Sequence, residues 1–197
     1  MRKVLIGLFA LSSLAGCAST ELCPETPANA SLEHLTLRHP GSFEQVALDG
    51  ARMFGPDLEV MRYDDGYRGF AYRRQIDLRV QDNRIEGVVG AGRTELHLLK
   101  FSDGFGLYGL YAGNLGRLNV HRNHIEGHLG GRVLNLRNSP EAPLVYESNS
   151  GPAEQAVALP RAPTRIHAGP TEMVLPENFG SLPTEDQAAL LAIFLGR

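Results

Sequence analysis

From Leu35 to Arg137, apolar residues recur at every second position, in Leu35-x-Leu37, Val46-x-Leu48, Leu58-x-Val60, Ile76-x-Leu78-x-Val80, Leu96-x-Leu98, Leu118-x-Val120 and Leu134-x-Leu136, with turn residues between the runs. A period of two belongs to strands that bury one face. The chain also repeats itself. Leu78-Arg-Val-Gln-Asp-Asn-Arg-Ile-Glu-Gly87 returns forty residues later as Leu118-Asn-Val-His-Arg-Asn-His-Ile-Glu-Gly127, and Gly69 and Gly109 stand at the same spacing. Repetition on this scale is one supersecondary unit used several times.

The turns set a register. With Asp82-Asn83 as a two-residue hairpin turn, Gln81 faces Arg84, Val80 faces Ile85, Arg79 faces Glu86 and Leu78 faces Gly87. Leu78, Val80, Ile85 and Val89 then share an apolar face, and Arg79 and Glu86 form an opposite-charge pair on the other. The same rule at Arg122-Asn123 puts Leu118, Val120, Ile125 and Leu129 inside. At Gly130-Gly131 it pairs Ile125 with Leu136 and Gly127 with Leu134, and at Asp103-Gly104 it pairs Gly109 with Leu98 and Leu96 with Tyr111. Glycine opposite leucine alternates small and large side chains, which fills the inside of a tightly curved sheet. The expected fold is therefore mainly β. It is an antiparallel meander of repeated hairpins, roughly eight to ten strands, forming a small barrel or sandwich with a filled interior and one C-terminal helix.

Residues 139–183 are rich in proline and glycine, with brief β-like runs at 144–146, 156–159 and 173–175, and read as a wrap over the sheet. The helix follows: Thr184 and Gln187 have the spacing of a capping box, Glu185 and Asp186 lie in the first turn, and Gly196 ends it. Ala188 to Leu195 is apolar all round. Such a helix either closes one end or face of the β domain or presents a surface to a partner or a membrane.

At the other terminus, Arg2 and Lys3 precede an apolar run from Val4 to Leu11 and a small-residue stretch from Ser12 to Cys17, the layout of an export signal. The run is shorter than the roughly 20 residues that span a bilayer. Leu14-Ala15-Gly16-Cys17 resembles the lipobox of bacterial lipoproteins. Over residues 1–17 that resemblance implies cleavage between Gly16 and Cys17 and acylation of Cys17, which would hold the protein to a membrane; several acyl chains anchor stably where one does not. Ala18, in place of an aspartate, resembles the pattern of outer-membrane sorting. The chain then divides into a signal peptide at 1–16, a lipidated cysteine and flexible tether at 17–32, the repeated β-hairpin domain at 33–138, and a Pro/Gly-rich wrap and C-terminal helix at 139–197 packed on the same domain. Cys23, the second of two cysteines, is left as a free thiol or an intermolecular crosslink, and cysteine-rich zinc or iron–sulfur sites are excluded.

Loss of Arg2 and Lys3 with the signal takes the formal net charge from −3 to −5. Mild acidity of this kind offers nucleic acid no attraction. Catalytic signatures are also missing: the chain has no Gly-x-Ser-x-Gly elbow, phosphate-binding glycine loop or His-Glu-x-x-His helix. Three features could still carry chemistry or recognition. His121 and His124 face each other across a hairpin with Glu126 and His128 further along the same face, a weak metal-site candidate, because same-face neighbours stand about 6.6–7 Å apart and a third ligand needs a bend. An ordinary solvated strand face is the other reading, and the earlier repeat carries Gln81, Arg84 and Glu86 there. Asp64 and Asp65 form either a carboxylate pair or, with Gly66, a hairpin turn. Tyr63, Tyr67, Tyr72, Tyr108 and Tyr111, set among Arg62, Arg68, Arg73 and Arg74, either pack the core or stack on sugar rings or a protein surface.

The expected function is a non-enzymatic envelope lipoprotein without cofactor that binds or scaffolds an envelope protein or glycan. One alternative is a lipid-anchored small barrel that carries an apolar ligand, although the absence of tryptophan removes the Gly-x-Trp signature of lipocalins. The other is a metal-dependent enzyme at the His121 to His128 face.

Overall fold

The computed structural model describes residues 33–49, 52–139, 142–148 and 170–196. Gly16, Cys17, Cys23 and the run at 156–159 lie outside the described residues. Fourteen strands run in chain order: β1 Glu33–His39, β2 Ser42–Asp49, β3 Arg52–Gly55, β4 Leu58–Tyr63, β5 Gly66–Ala71, β6 Arg74–Gln81, β7 Arg84–Val89, β8 Gly92–Phe101, β9 Gly104–Tyr111, β10 Asn114–His121, β11 His124–Leu129, β12 Arg132–Ser139, β13 Ala142–Ser148 and β14 Glu172–Val174. Each pairs antiparallel with its sequence neighbours, and β14 pairs with β1, so the sheet closes into an up-and-down barrel with no free edge. One helix, α1 Thr184–Leu195, follows.

The registers read from the repeats are those observed. Leu78 faces Gly87 and Val80 faces Ile85; Gly127 faces Leu134 and Ile125 faces Leu136. Asp64 and Asp65 form the turn between Tyr63 and Gly66. One hairpin differs. Phe101 pairs with Gly104, so Ser102 and Asp103 make the turn, Leu96 faces Gly109 and Leu98 faces Leu107. The cause is packing: a Cβ at Gly104 would run into the Val120 carbonyl, which places that glycine in the strand and not in the turn. A slip of two residues leaves every face unchanged, and Tyr111 is still fully buried.

The strand count exceeds the expected eight to ten for two reasons. The short β3 and the glycine-rich β5 and β9 lack the regular apolar alternation, and β13 and β14, taken from the segment read as a wrap, complete the wall. The consequence is a wider lumen. Eight strands enclose just enough room for side chains, and diameter grows with strand number. Leucines opposite glycines cannot fill fourteen strands.

The helix fills the rest. Ala188 through Leu195 are all buried, and they join the inward residues of the strands in one apolar core. An α-helix with its side chains is about 10–12 Å across, and one apolar on all sides belongs where all sides are covered. α1 lies against β5, β6, β8 and β9. At one mouth of the barrel, Arg62 Nε donates to both carboxylate oxygens of Asp186 at 3.1 and 3.2 Å, the Tyr67 hydroxyl donates to Asp186 Oδ1 at 3.0 Å, and Lys100 Nζ meets Glu185 at 2.6 Å. At the opposite mouth Arg74 donates to the Gly196 carbonyl at 2.9 Å, and Gly130 packs on Gly196 with no room for a Cβ. The helix thus threads the lumen, in place of capping one end or offering a surface.

The capping box does not form. Pro183 is the N-cap residue, its carbonyl accepts from the Gln187 N–H at 3.0 Å, and the Gln187 side chain donates to the Leu182 carbonyl at 2.8 Å. Asp186 holds the first turn to the wall instead. Burial, reinforced by the neighbouring Asp186 carboxylate, pushes the Tyr67 hydroxyl far above its ordinary pKa. Asp186→Ala leaves that hydroxyl buried without an acceptor, and a loss of about 1–3 kcal/mol is expected. Tyr67→Phe in the same chain removes the orphan and recovers part of the loss. Chemical denaturation of the two single variants and the double variant measures the coupling, and strict additivity would refute the latch.

The outer wall is polar at mid-strand. Arg68 contacts Asp65 and Asp77, Arg84 contacts Glu86 and Glu95, and Arg93 contacts Glu95. A barrel that faces lipid carries an apolar band about 25 Å tall; here the charged Arg68, Asp77, Glu86 and Glu95 stand within β5 to β8. No helix among the described residues is long and apolar enough to cross a membrane.

Candidate binding site on the outer wall

With the lumen filled, the concave surfaces are on the outside. The registers place Leu99, Gly106, Asn119 and Glu126 in one row across β8 to β11, and His97, Tyr108, Arg117 and His128 in the next. Gly104 and Gly106 point outward from β9. Without side chains there, the wall sinks into a trough between Phe101 and Leu99 on β8 and Asn119 and Arg117 on β10, with Tyr108 at its side and a volume of about 430 Å³. A Cβ on Gly106 would meet the tip of the Phe101 ring at 3.0 Å and Asn119 Oδ1 at 3.2 Å, so both side chains lean over the glycine.

Two aromatic stacks border the trough. Phe101 lies on His121, with ring centroids 5.2 Å apart and planes 9° from parallel, and His121 lies on His124 at 4.4 Å and 13°. On the other side His97 lies on Tyr108 at 5.3 Å and 19°. Leu99, Phe101 and Tyr108 are all exposed. The polar groups are fixed by partners: His121 Nδ1 stands 3.1 Å from both oxygens of Asp103, His124 Nδ1 2.7 Å from Oδ1 of the preceding turn residue Asn123, and the Asn119 amide donates to Glu126 at 3.3 Å. Burial, and then the charge of Arg117, holds His128 below its ordinary pKa.

The hairpin therefore brings His121 and His124 together, but as stacked rings, while Glu126 takes up the Asn119 amide. Among the described residues no three or more His, Cys, Asp or Glu side chains are grouped to hold a metal. The tyrosine and arginine group does not form a single surface. Tyr67 and Tyr111 are buried and Tyr72 packs against the core, because they stand at inward positions, and Arg62 and Arg74 hold the ends of the helix. Tyr63 and Tyr108 are exposed on different strands, Tyr63 under the guanidinium of Arg68 at 4.9 Å. Asp65 is ion-paired with Arg68 at 2.7 Å, which holds its carboxyl below the ordinary range.

Charge is unevenly spread around the wall. From Gly104 to Ser139, covering β9 to β12, the chain has four arginines and three histidines against one carboxylate, Glu126. Arg132 is buried beside His39 at a mouth; Arg117, Arg122 and Arg137 are exposed, and none of their guanidinium groups pairs with a carboxylate among the described residues. On β5 to β8, by contrast, Arg68, Arg79, Arg84 and Arg93 each stand within 4.0 Å of a carboxylate. The trough thus lies at the border of a basic face on an acidic protein. A sequence reading that followed inward glycines missed it; its signal was Gly104-x-Gly106-x-Tyr108, small residues on the same face of a strand beside an aromatic one. Compared with protein-family models, with curated proteins and with solved structures, the chain matches none.

Proposed function

We propose that the protein is a non-enzymatic binding module of the bacterial envelope, anchored through lipid on Cys17, that holds a partner on the outer wall of its barrel. The observation that carries this reading is the filled lumen: the protein's own helix occupies the space a carrier would reserve for an apolar ligand. Recognition then falls to the outside, where the trough at Gly106 combines exposed aromatic rings with fixed polar groups, the mixture typical of ligand sites. The lipobox resemblance supports the location, and Ala18 supports sorting to the outer membrane.

Two measurements on the full chain in a bacterial host test the reading. Radiolabelled palmitate should be incorporated and should be lost in Cys17→Ser, which should also leave the membrane fraction. A photo-crosslinking residue at position 119 should capture an envelope component in living cells, whereas one at position 79, on the neutralised side, should not. Label retained by Cys17→Ser would defeat the anchor, and equal capture from both positions would defeat the binding face.

A further inference from the structure

We propose that the trough over Gly106 binds an acidic glycan, with sugar rings lying on Tyr108 and Phe101 and the sugar carboxylates directed to Arg117. This names the ligand class of the binding face above and rests on that reading. The chemistry of the site selects the class. A sugar ring has an apolar C–H face and a polar rim, and the trough offers both complements across three neighbouring rows of the sheet: flat exposed rings from β8 and β9, and an amide and a guanidinium from β10. The rings are already oriented. His97 and His121 stack behind Tyr108 and Phe101, so their planes are set before a ligand arrives and little side-chain entropy remains to be lost. Asn119 is likewise held by Glu126.

The acidic character follows from charge. Arg117 stands in the trough with no carboxylate partner among the described residues, and Arg122 and Arg137 extend the basic face across β10 to β12. The volume of about 430 Å³ lies within the roughly 300–1,000 Å³ of ordinary ligand clefts. The lining pairs the apolar Leu99, Phe101 and Leu107 with the polar ends of Tyr108, Asn119 and Arg117 over a glycine floor, the mixture that a sugar ring with its apolar face and polar rim matches. An anionic membrane surface is met by clusters of several lysines and arginines, whereas Arg117 is the one basic side chain that lines the trough among the described residues.

Titration of the full chain in neutral detergent micelles tests the assignment, with calorimetry and the ring resonances of Tyr108, His97 and His121 as readouts. The probes are tetrasaccharides of galacturonic acid and of hyaluronan, with cellotetraose and maltotetraose as neutral counterparts. At least one acidic probe should bind, move those resonances, and bind more weakly as salt rises; the neutral probes should bind about tenfold more weakly or not at all. Tyr108→Ala and Arg117→Gln should each weaken the acidic probe about tenfold. Gly106→Val, which adds bulk to the floor and removes no ligand contact, should weaken it as much, and Arg79→Gln should leave it unchanged. Both Tyr108 and Arg117 are exposed, so a thermal melt of each variant should match the parent.

Absence of binding to either acidic probe would overturn the assignment, and so would binding that Tyr108→Ala or Gly106→Val leaves intact. Resonance shifts produced by vesicles of anionic lipid and by no glycan would overturn it in favour of a headgroup site. A crosslink at position 119 to a protein, with no glycan response, would remove the glycan and leave the binding face standing; failure of that crosslink together with the titration would remove both.

Discussion

Truncation of the chain after Leu182 is expected to abolish the cooperative fold and not to open a pore. The lost segment includes five large side chains buried in the lumen, Leu190, Leu191, Ile193, Phe194 and Leu195, along with the buried alanines between them. Burial contributes about 1.5–3 kcal/mol for each such side chain, hence on the order of 8–15 kcal/mol in total. A typical domain has only about 5–15 kcal/mol of net stability. The inward faces of Ile76, Leu78, Leu96 and Leu107, fully buried in the intact protein, would also face water. Near-UV circular dichroism from the buried tyrosines and a thermal melt would register the loss, and a synthetic peptide of residues 183–197 added in trans should restore both. A truncated chain that still melted cooperatively would show that the wall stands without its filling. Phe194→Ala is the graded version, with an expected cost of about 3–5 kcal/mol.

The helix also marks the limit of what the pattern of residues could convey. Its extent to within a residue and its uniform apolarity were legible between Thr184 and Gly196, because side-chain type and a terminal glycine are local signals, although the cap is Pro183 and not Thr184. Its position was not. An all-apolar helix specifies only that it is covered on every side, and whether a lumen exists to cover it depends on strand number. That number turned on β13 and β14, which bring together chain segments far apart in sequence. Strand registers were legible wherever a two-residue turn was unambiguous, as at Asp82-Asn83 and Arg122-Asn123. At Ser102-Asp103-Gly104 two turns competed, and contact with β10 decided between them.

The binding face was partly legible in the same sense. Alternation placed His121 and His124 on one outward face, and their stack is the direct outcome of the turn between them. The trough itself required three strands in correct register, since Leu99, Gly106 and Asn119 are adjacent only across β8, β9 and β10. The slipped register at Gly104 would have put Leu99 opposite Tyr108 and hidden the depression. Charge asymmetry between β5 to β8 and β9 to β12 could be counted from residue types, but pairing decides which arginines are available, and pairing is a property of the closed wall.

Gly87→Ala and Gly127→Ala should each cost at least about 3 kcal/mol, far more than any exposed glycine substitution. The two positions are equivalent in the forty-residue repeat, and each has a positive φ, 145° at Gly87 and 127° at Gly127, in an extended region essentially closed to other residues. A Cβ at Gly87 would enter the space of the Asp77 carbonyl, and one at Gly127 that of the Arg117 carbonyl, both backbone atoms of the preceding strand that cannot rotate away. Strain and overlap therefore add at the same site. Gly180→Ala is the control: its φ is ordinary, nothing lies within 4 Å of its Cβ position, and a change within about 0.5 kcal/mol is expected. Denaturant midpoints of the three variants give the comparison, and a loss below about 1 kcal/mol at both Gly87 and Gly127 would refute the account. If the large losses are found, the repeat has a physical meaning beyond shared ancestry of hairpins. Leu78 faces Gly87 and Leu118 faces Gly127 because the wall must bend sharply at those points to close around the helix, and only a residue without a side chain lets one strand lie so close to the next.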